Sequence, residues 1–159
     1  SLDRARLLAA LTPAGLLAGA YGSQYLGGLA PCEMCYWQRW AHWAALAFAL
    51  ASYAAMHRLP DRGRSLVWLA ALGMLASGAI GAWHAGIEAG LFEGFTQCSA
   101  VAGGSADPLA DIMAAPVIRC DQVQWQLFAV SMAGWNAILS TLFAVVILWL
   151  SLRRPRIRT

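Results

Sequence analysis

Long runs of apolar side chains, interrupted by short polar clusters, set the pattern of this chain. A helix crossing a bilayer needs about 20 predominantly apolar residues, and four such runs can be cut, at about 7–29, 40–56, 66–87 and 126–152. The first and last hold no charged side chain, and the third has His84 as its only titratable group. The second is close to the lower length limit. The first is too long for the 7–15-residue apolar core of a secretory signal, so it is read as a span. About ten residues join spans one and two, roughly nine join two and three, and nearly forty join three and four. The pattern predicts an all-α integral membrane protein, a four-transmembrane-helix bundle forming a single domain over residues 1–159.

Arginine placement orients the bundle, because loops rich in Lys and Arg stay cytoplasmic. There is no lysine, and nine of the eleven arginines fall before the first span, between the second and third, or after the fourth. Only Arg39 and Arg119 lie on the other side. Both termini are therefore expected in the cytoplasm, with the loops at about 30–39 and 88–125 facing the periplasm.

Packing faces can be read as well. Gly73, Ser77, Gly81 and Ala85 recur every four residues in the third span, and Gly15 and Gly19 make a GxxxG in the first. Such small-residue stripes let helices approach closely in lipid. Tyr21, Tyr25, Tyr36, Trp37, Trp40 and Trp125 gather at the periplasmic ends as an aromatic belt. In the long loop, Asp107 before Pro108 reads as a helix start. Leu109, Ile112, Met113 and Val117 follow near one face until Pro116 interrupts, predicting a short helix lying in the membrane interface.

Composition agrees with this picture. The chain is 60% hydrophobic and 12% charged, against about 45–50% and 25% in soluble domains. Soluble enzyme folds are poor candidates, and disorder is excluded. The pI near 8.9 follows from the arginine topology, so nucleic acid is not implied.

All four cysteines, Cys32, Cys35, Cys98 and Cys120, fall in the two periplasmic loops. An even count on the oxidising side favours disulfides. A CxxC is a poor staple, since closing so small a ring removes little chain entropy, whereas a Cys98–Cys120 ring stabilises by roughly 3 kcal/mol in the chain-entropy model. A CxxC more often serves as a redox pair or half of a metal site. Zinc sites usually join two closely spaced CxxC-like units. Here the second pair is separated by 21 residues with no histidine near it in sequence, so no metal site is assigned.

If the second helix starts near Pro31, Cys32, Cys35, Arg39 and His42 fall within about 80° of one another at 100° per residue. The stripe begins at a helix N-terminus, where the dipole and free N–H groups favour a thiolate. Arg39 adds a fixed positive charge, and both thiol pKa values are expected to fall. On position alone Arg39 also suits a charge reaching out to lipid headgroups. His84 and Glu88 stand one turn apart near the periplasmic end of the third span, where an ionisable group at membrane depth is a functional candidate. His42 lies deeper and is equally suited to hydrogen-bonding a neighbouring helix.

These residues resemble the bacterial disulfide bond formation protein B (DsbB) family of inner-membrane thiol oxidases. The likeness rests on CxxCxxxR at the mouth of the second span (Cys32, Cys35, Arg39), a second cysteine pair in the long loop, His84, and Trp125 five residues after Cys120. It covers essentially the whole chain. It implies an enzyme, a protein-dithiol:quinone oxidoreductase of the bacterial inner (cytoplasmic) membrane. Such enzymes reoxidise a periplasmic DsbA-type thioredoxin-fold oxidase and pass its two electrons to ubiquinone or menaquinone, a couple known to keep the periplasm oxidising. Carried over by position, Cys98 forms the mixed disulfide with the partner and Cys120 is released. A Cys32–Cys120 bridge is then the intermediate, and Cys35 is left as a thiolate facing the quinone. Arg39 steadies that thiolate and the reduced quinone oxygen, with His84 and Trp125 in the quinone pocket.

Two rivals are separable. A vitamin K epoxide reductase-like protein also pairs a four-helix core with a CxxC facing quinone, but carries that CxxC on the last core helix. A non-enzymatic membrane protein with structural disulfides or a four-cysteine metal site would resist mild reductant or release zinc to a chelator.

Overall fold

The computed structural model describes residues 1–93, 99–100, 109, 113 and 117–153. Four long helices dominate: α1 (Leu2–Tyr25), α2 (Glu33–Ala55), α3 (Arg64–Glu88) and α4 (Met132–Leu152). Helix α3 packs along both α2 and α4, and α1 closes the bundle against α2 and α4. Two of the four, α3 and α4, are long and apolar enough to cross a membrane by length and mean hydropathy. Helices α1 and α2 dilute their apolar content, α1 with Thr12, Pro13, Ser23, Gln24 and its glycines and α2 with Gln38, Arg39 and His42.

The bundle buries several polar side chains among mostly small apolar ones and turns many of its large apolar side chains outward. Ser52, Ser77, Ser140, Ser151 and His42 are buried, whereas Leu11, Leu50, Leu72, Leu142, Val145 and Trp149 point outward. Only 22% of the most apolar stretch of α4 is buried inside the protein. A surface of this kind suits lipid and exceeds what water tolerates. Small residues seat the helices as the stripe on α3 predicts. A Cβ at Gly73 would meet Ala45 Cβ at 3.1 Å on α2, and one at Gly81 would meet the Ala133 carbonyl at 2.9 Å on α4. The GxxxG of α1 behaves otherwise. Nothing stands within 4 Å of a Cβ built at Gly15 or Gly19, and both border a cavity rather than a neighbouring helix.

Local chemistry sets the helix ends. The Asp61 carboxylate accepts from the backbone N–H groups of Gly63 (3.0 Å) and Ser65 (2.7 Å) and so caps α3. Gly63 itself takes φ +76°, and a Cβ there would strike the Ser52 carbonyl at 2.8 Å. Ser131 Oγ caps α4 by accepting from Gly134 N–H at 3.1 Å. Arg6, although charged, is buried at the arginine-rich end, where it donates to Asp3 and to the Arg62 carbonyl.

Two expectations change. Residues 126–131, read as the start of the fourth span, form a hairpin instead: β3 (Gln126–Leu127) pairs antiparallel with β4 (Val130–Ser131). Phe128 and Ala129 make its tight turn at positive φ, and α4 begins only at Met132. An apolar run does not by itself distinguish the two when its first residues supply both strands. In the long loop, β1 (Ser99–Ala100) pairs antiparallel with β2 (Val117–Ile118), so Val117 is extended rather than on the expected helical face. Leu109 and Met113 are helical and exposed. The remainder of the expected interfacial helix, Asp107 and Pro108 included, lies outside the described residues.

Candidate functional site

Helix α2 opens on Cys32, its N-cap residue with extended backbone (φ −81°, ψ 174°). Cys35 sits in the first turn, and the two sulfurs are 3.1 Å apart. Cys32 is buried in a cluster with Met34, Ile87, Ile118 and Cys120, and Cys120 is within hydrogen-bonding reach of the Cys32 thiol. The loop after α3 thus delivers Cys120 to the buried member of the CxxC. Cys98 lies outside the described residues.

The two thiols diverge electrostatically. A hydrogen bond from Cys32, helped by the Arg39 charge, lowers Cys35 from 9.0 to about 7 against the opposing effect of its burial. Cys32 moves the other way, pushed up first by its hydrogen bond to Cys35 and then by burial. The expectation that both thiols are acidified is therefore corrected. Above a pH of about 7 the pair holds one proton, and it stays on Cys32, the sulfur that feels Arg39 less.

Arg39 is 6% exposed, so it is no headgroup anchor. Its guanidinium donates to Gln24 Oε1 at 2.5 Å and to the Ala20 carbonyl at 3.1 Å. It also lies over the Tyr21 ring at 4.8 Å and the Tyr36 ring at 5.6 Å. Two of the belt tyrosines thus hold a buried cation.

His84 is buried on α3, with Nε2 3.6 Å from Cys32 Sγ and 3.8 Å from Glu88 Oε1. His84 lies far from the CxxC in sequence, yet the fold places it so that its donor atom and those of Cys32 and Cys35 lie within 4.8 Å of one another. His42 is buried too and reaches Asn136 Oδ1 at 2.8 Å and Ser77 Oγ at 2.9 Å. The interhelical hydrogen bond expected of it is observed, and its side chain also borders the cavity next to the cysteines.

Cys32, Cys35, Arg39, His84 and Trp125 all border one cavity of about 580 Å³, walled elsewhere by α1 and α4 through Leu16, Leu17, Met132 and Leu139. The Gln124 side chain donates to the Ala30 carbonyl at 2.8 Å and ties the long loop, with the half-exposed Trp125, to the short one. Sequence reasoning missed Gln24, Gln38 and Asn136. Each is an uncharged polar residue in an apolar helix, a signal that names no partner until the helices are packed.

Residues 3–150 match the family described as disulfide bond formation protein DsbB. A relative named disulfide bond formation protein B from Hahella chejuensis is 29% identical over 162 residues, covering 92% of this chain and 91% of its own. One of the same name from Marinobacter nauticus is 29% identical, covering 91% and 88%. A third, from Aromatoleum aromaticum, is 33% identical, covering 89% and 87%. No solved structure matches the chain. With a CxxC at a helix mouth, a loop cysteine laid against it and a family match along nearly its full length, the chain belongs to the DsbB family of membrane disulfide bond formation proteins.

Proposed function

We propose that this chain is a protein-dithiol:quinone oxidoreductase of the bacterial inner membrane. It reoxidises a DsbA-type thioredoxin-fold protein of the periplasm and delivers the two electrons to ubiquinone or menaquinone. Four spans cross the bilayer as one domain, both termini are cytoplasmic, and an interfacial helix lies in the long periplasmic loop. One observation carries the reading: the acidified thiol Cys35 and the fixed charge of Arg39 border the same largely apolar cavity, while Cys32 behind them meets Cys120.

The electrons move by thiol–disulfide exchange, one bond forming as another breaks. The partner's thiolate attacks Cys98 of a Cys98–Cys120 disulfide and releases Cys120 as a thiolate. Cys120 attacks Cys32 of a Cys32–Cys35 disulfide, and Cys35 leaves as a thiolate steadied by Arg39. The partner's second thiol then displaces Cys98 and closes the partner's own disulfide. Cys98 next attacks Cys120, restoring the loop disulfide and returning Cys32 with its proton. Two electrons now reside on Cys32 and Cys35.

The cavity fits a quinone by volume and chemistry. About 580 Å³ of mostly apolar space with a few convergent polar groups suits a small hydrophobic ring. Arg39, His84 and Trp125 would hold it beside Cys35. Quinone, when bound, supplies a two-electron, two-proton acceptor. Arg39 is kept in place by Gln24 and Ala20, so its charge needs no rearrangement as negative charge develops.

The test is anaerobic quinone reduction by the purified protein, with a reduced DsbA-type partner as donor. Turnover should require all four cysteines. Offered the oxidised partner, Cys120→Ala should form a mixed disulfide through its free Cys98 thiol as the partner's second thiol leaves, whereas Cys98→Ala should form none; the reverse pattern would exchange their roles. Normal turnover by Cys35→Ser would overturn the assignment.

A further inference from the structure

Between the dithiol and the bundle centre runs a chain of hydrogen bonds whose direction two backbone carbonyls determine. Asn136 Nδ2 lies 3.2 Å from the Ser77 carbonyl, which only accepts. Nδ2 therefore faces that way and also donates to Gln38 Oε1 at 2.7 Å. On α2, Gln38 Nε2 donates to the Met34 carbonyl at 3.1 Å, which orients the second amide independently. The same Nε2 lies 3.1 Å from His84 Nδ1, so that ring nitrogen accepts. In a neutral imidazole the proton then sits on Nε2, the nitrogen aimed at Cys32 Sγ and Glu88 Oε1.

This arrangement bears on an evident hazard. Two thiols and an imidazole whose donor atoms lie within 4.8 Å of one another form three-quarters of a tetrahedral zinc site. A dithiol capped by zinc cannot exchange disulfides. A zinc-ligating histidine offers the metal a lone pair and donates its other N–H to a carboxylate, carbonyl or water. Here the nitrogen nearest the sulfurs carries the hydrogen, and the other meets an amide donor, the opposite of what a metal needs.

We propose that Gln38, oriented by Met34 and Asn136, is a positioning residue that locks His84 as an Nε2–H donor toward Cys32 and thereby keeps thiophilic divalent cations off the reduced CxxC. The proposal rests on reading Cys32 and Cys35 as the redox pair, but neither of its readouts uses quinone turnover. The full chain, labelled with 15N-histidine and reduced in detergent, should show His84 with Nδ1 unprotonated and Nε2 bearing hydrogen. Gln38→Glu replaces the amide donor with an acceptor and should move the proton to Nδ1. In a Cys98→Ser background, which removes the loop pair as a competing chelator, Gln38→Glu should also tighten Zn²⁺ binding about 10–100-fold, the usual effect of a partner behind a ligating histidine. Competition against a chromophoric chelator reads this. An Nδ1–H tautomer in the unsubstituted chain, or equal zinc affinity in both proteins, would overturn the lock. Should Gln38→Glu fail to fold, the tautomer of the unsubstituted chain decides. A chain that shows the lock but never reduces quinone would refute the redox reading instead.

Discussion

Cys32 and Cys35 are the same side chain three positions apart, and their surroundings give them opposite roles. Cys35 receives a hydrogen bond and feels Arg39, whereas Cys32 donates that bond and is buried against Cys120. The thiolate absorbance of the reduced protein should therefore titrate with a midpoint of about 7 for Cys35. Quinone reduction should rise as pH climbs through that value and level off above it. A depressed thiol pKa also contributes to stability in full above the ordinary thiol value of 9.0 and loses that contribution as pH falls through about 7. The reduced form should accordingly lose stability on acidification across that window. Arg39→Ala should move the midpoint upward and weaken quinone use. Unchanged kinetics would reduce Arg39 to a structural cation. Of these residues, the cysteines and Arg39 were legible in sequence because one helix period aligns them. The inequality of the thiols was not, because it depends on a sulfur–sulfur contact and on loop burial.

Glycine serves two ends among the helices. At Gly81 the backbone of α4 lies 2.9 Å from where a Cβ would stand, so Gly81→Val should separate α3 from α4 and cost roughly 1–3 kcal/mol as overpacking does. Thermal unfolding in detergent reads that loss. Gly15 has open space beside it and borders the cavity. Gly15→Leu should leave the unfolding midpoint nearly unchanged while raising the KM for quinone. Both sites are a small residue repeating at i+4, which is why sequence reading assigned both to helix contacts. Which stripe meets a helix and which meets a void depends on interhelical spacing, and no periodicity encodes that. The hairpin at residues 126–131 teaches the same about boundaries, because a turn with two non-glycine residues at positive φ lacks the glycine signal that would announce it.

Among the described residues, several polar side chains are buried in the bundle while many large apolar ones face outward, and Arg6 meets Arg62 at the end where Arg4, Arg58 and Arg64 also stand. With the chain's own four cysteines replaced by serine, a bilayer-embedded bundle with cytoplasmic termini should protect Arg62→Cys from a membrane-impermeant maleimide added to intact cells. Permeabilisation should expose it. Labelling in intact cells would reverse the orientation. Apolar run lengths, the asymmetry of arginine and the placement of every cysteine outside the apolar runs were determined by sequence alone, because each can be read along one dimension without knowing how the helices pack. Tertiary structure alone decided that His84 meets Cys32 across 52 residues and that Asn136 meets Gln38 across 98. It likewise decided that Gln24 holds Arg39 and that the α1 glycines border a cavity. Such contacts arise from the relative rotation and spacing of helices. Those are set by the sum of many weak packing interactions, and no single residue in the chain records them.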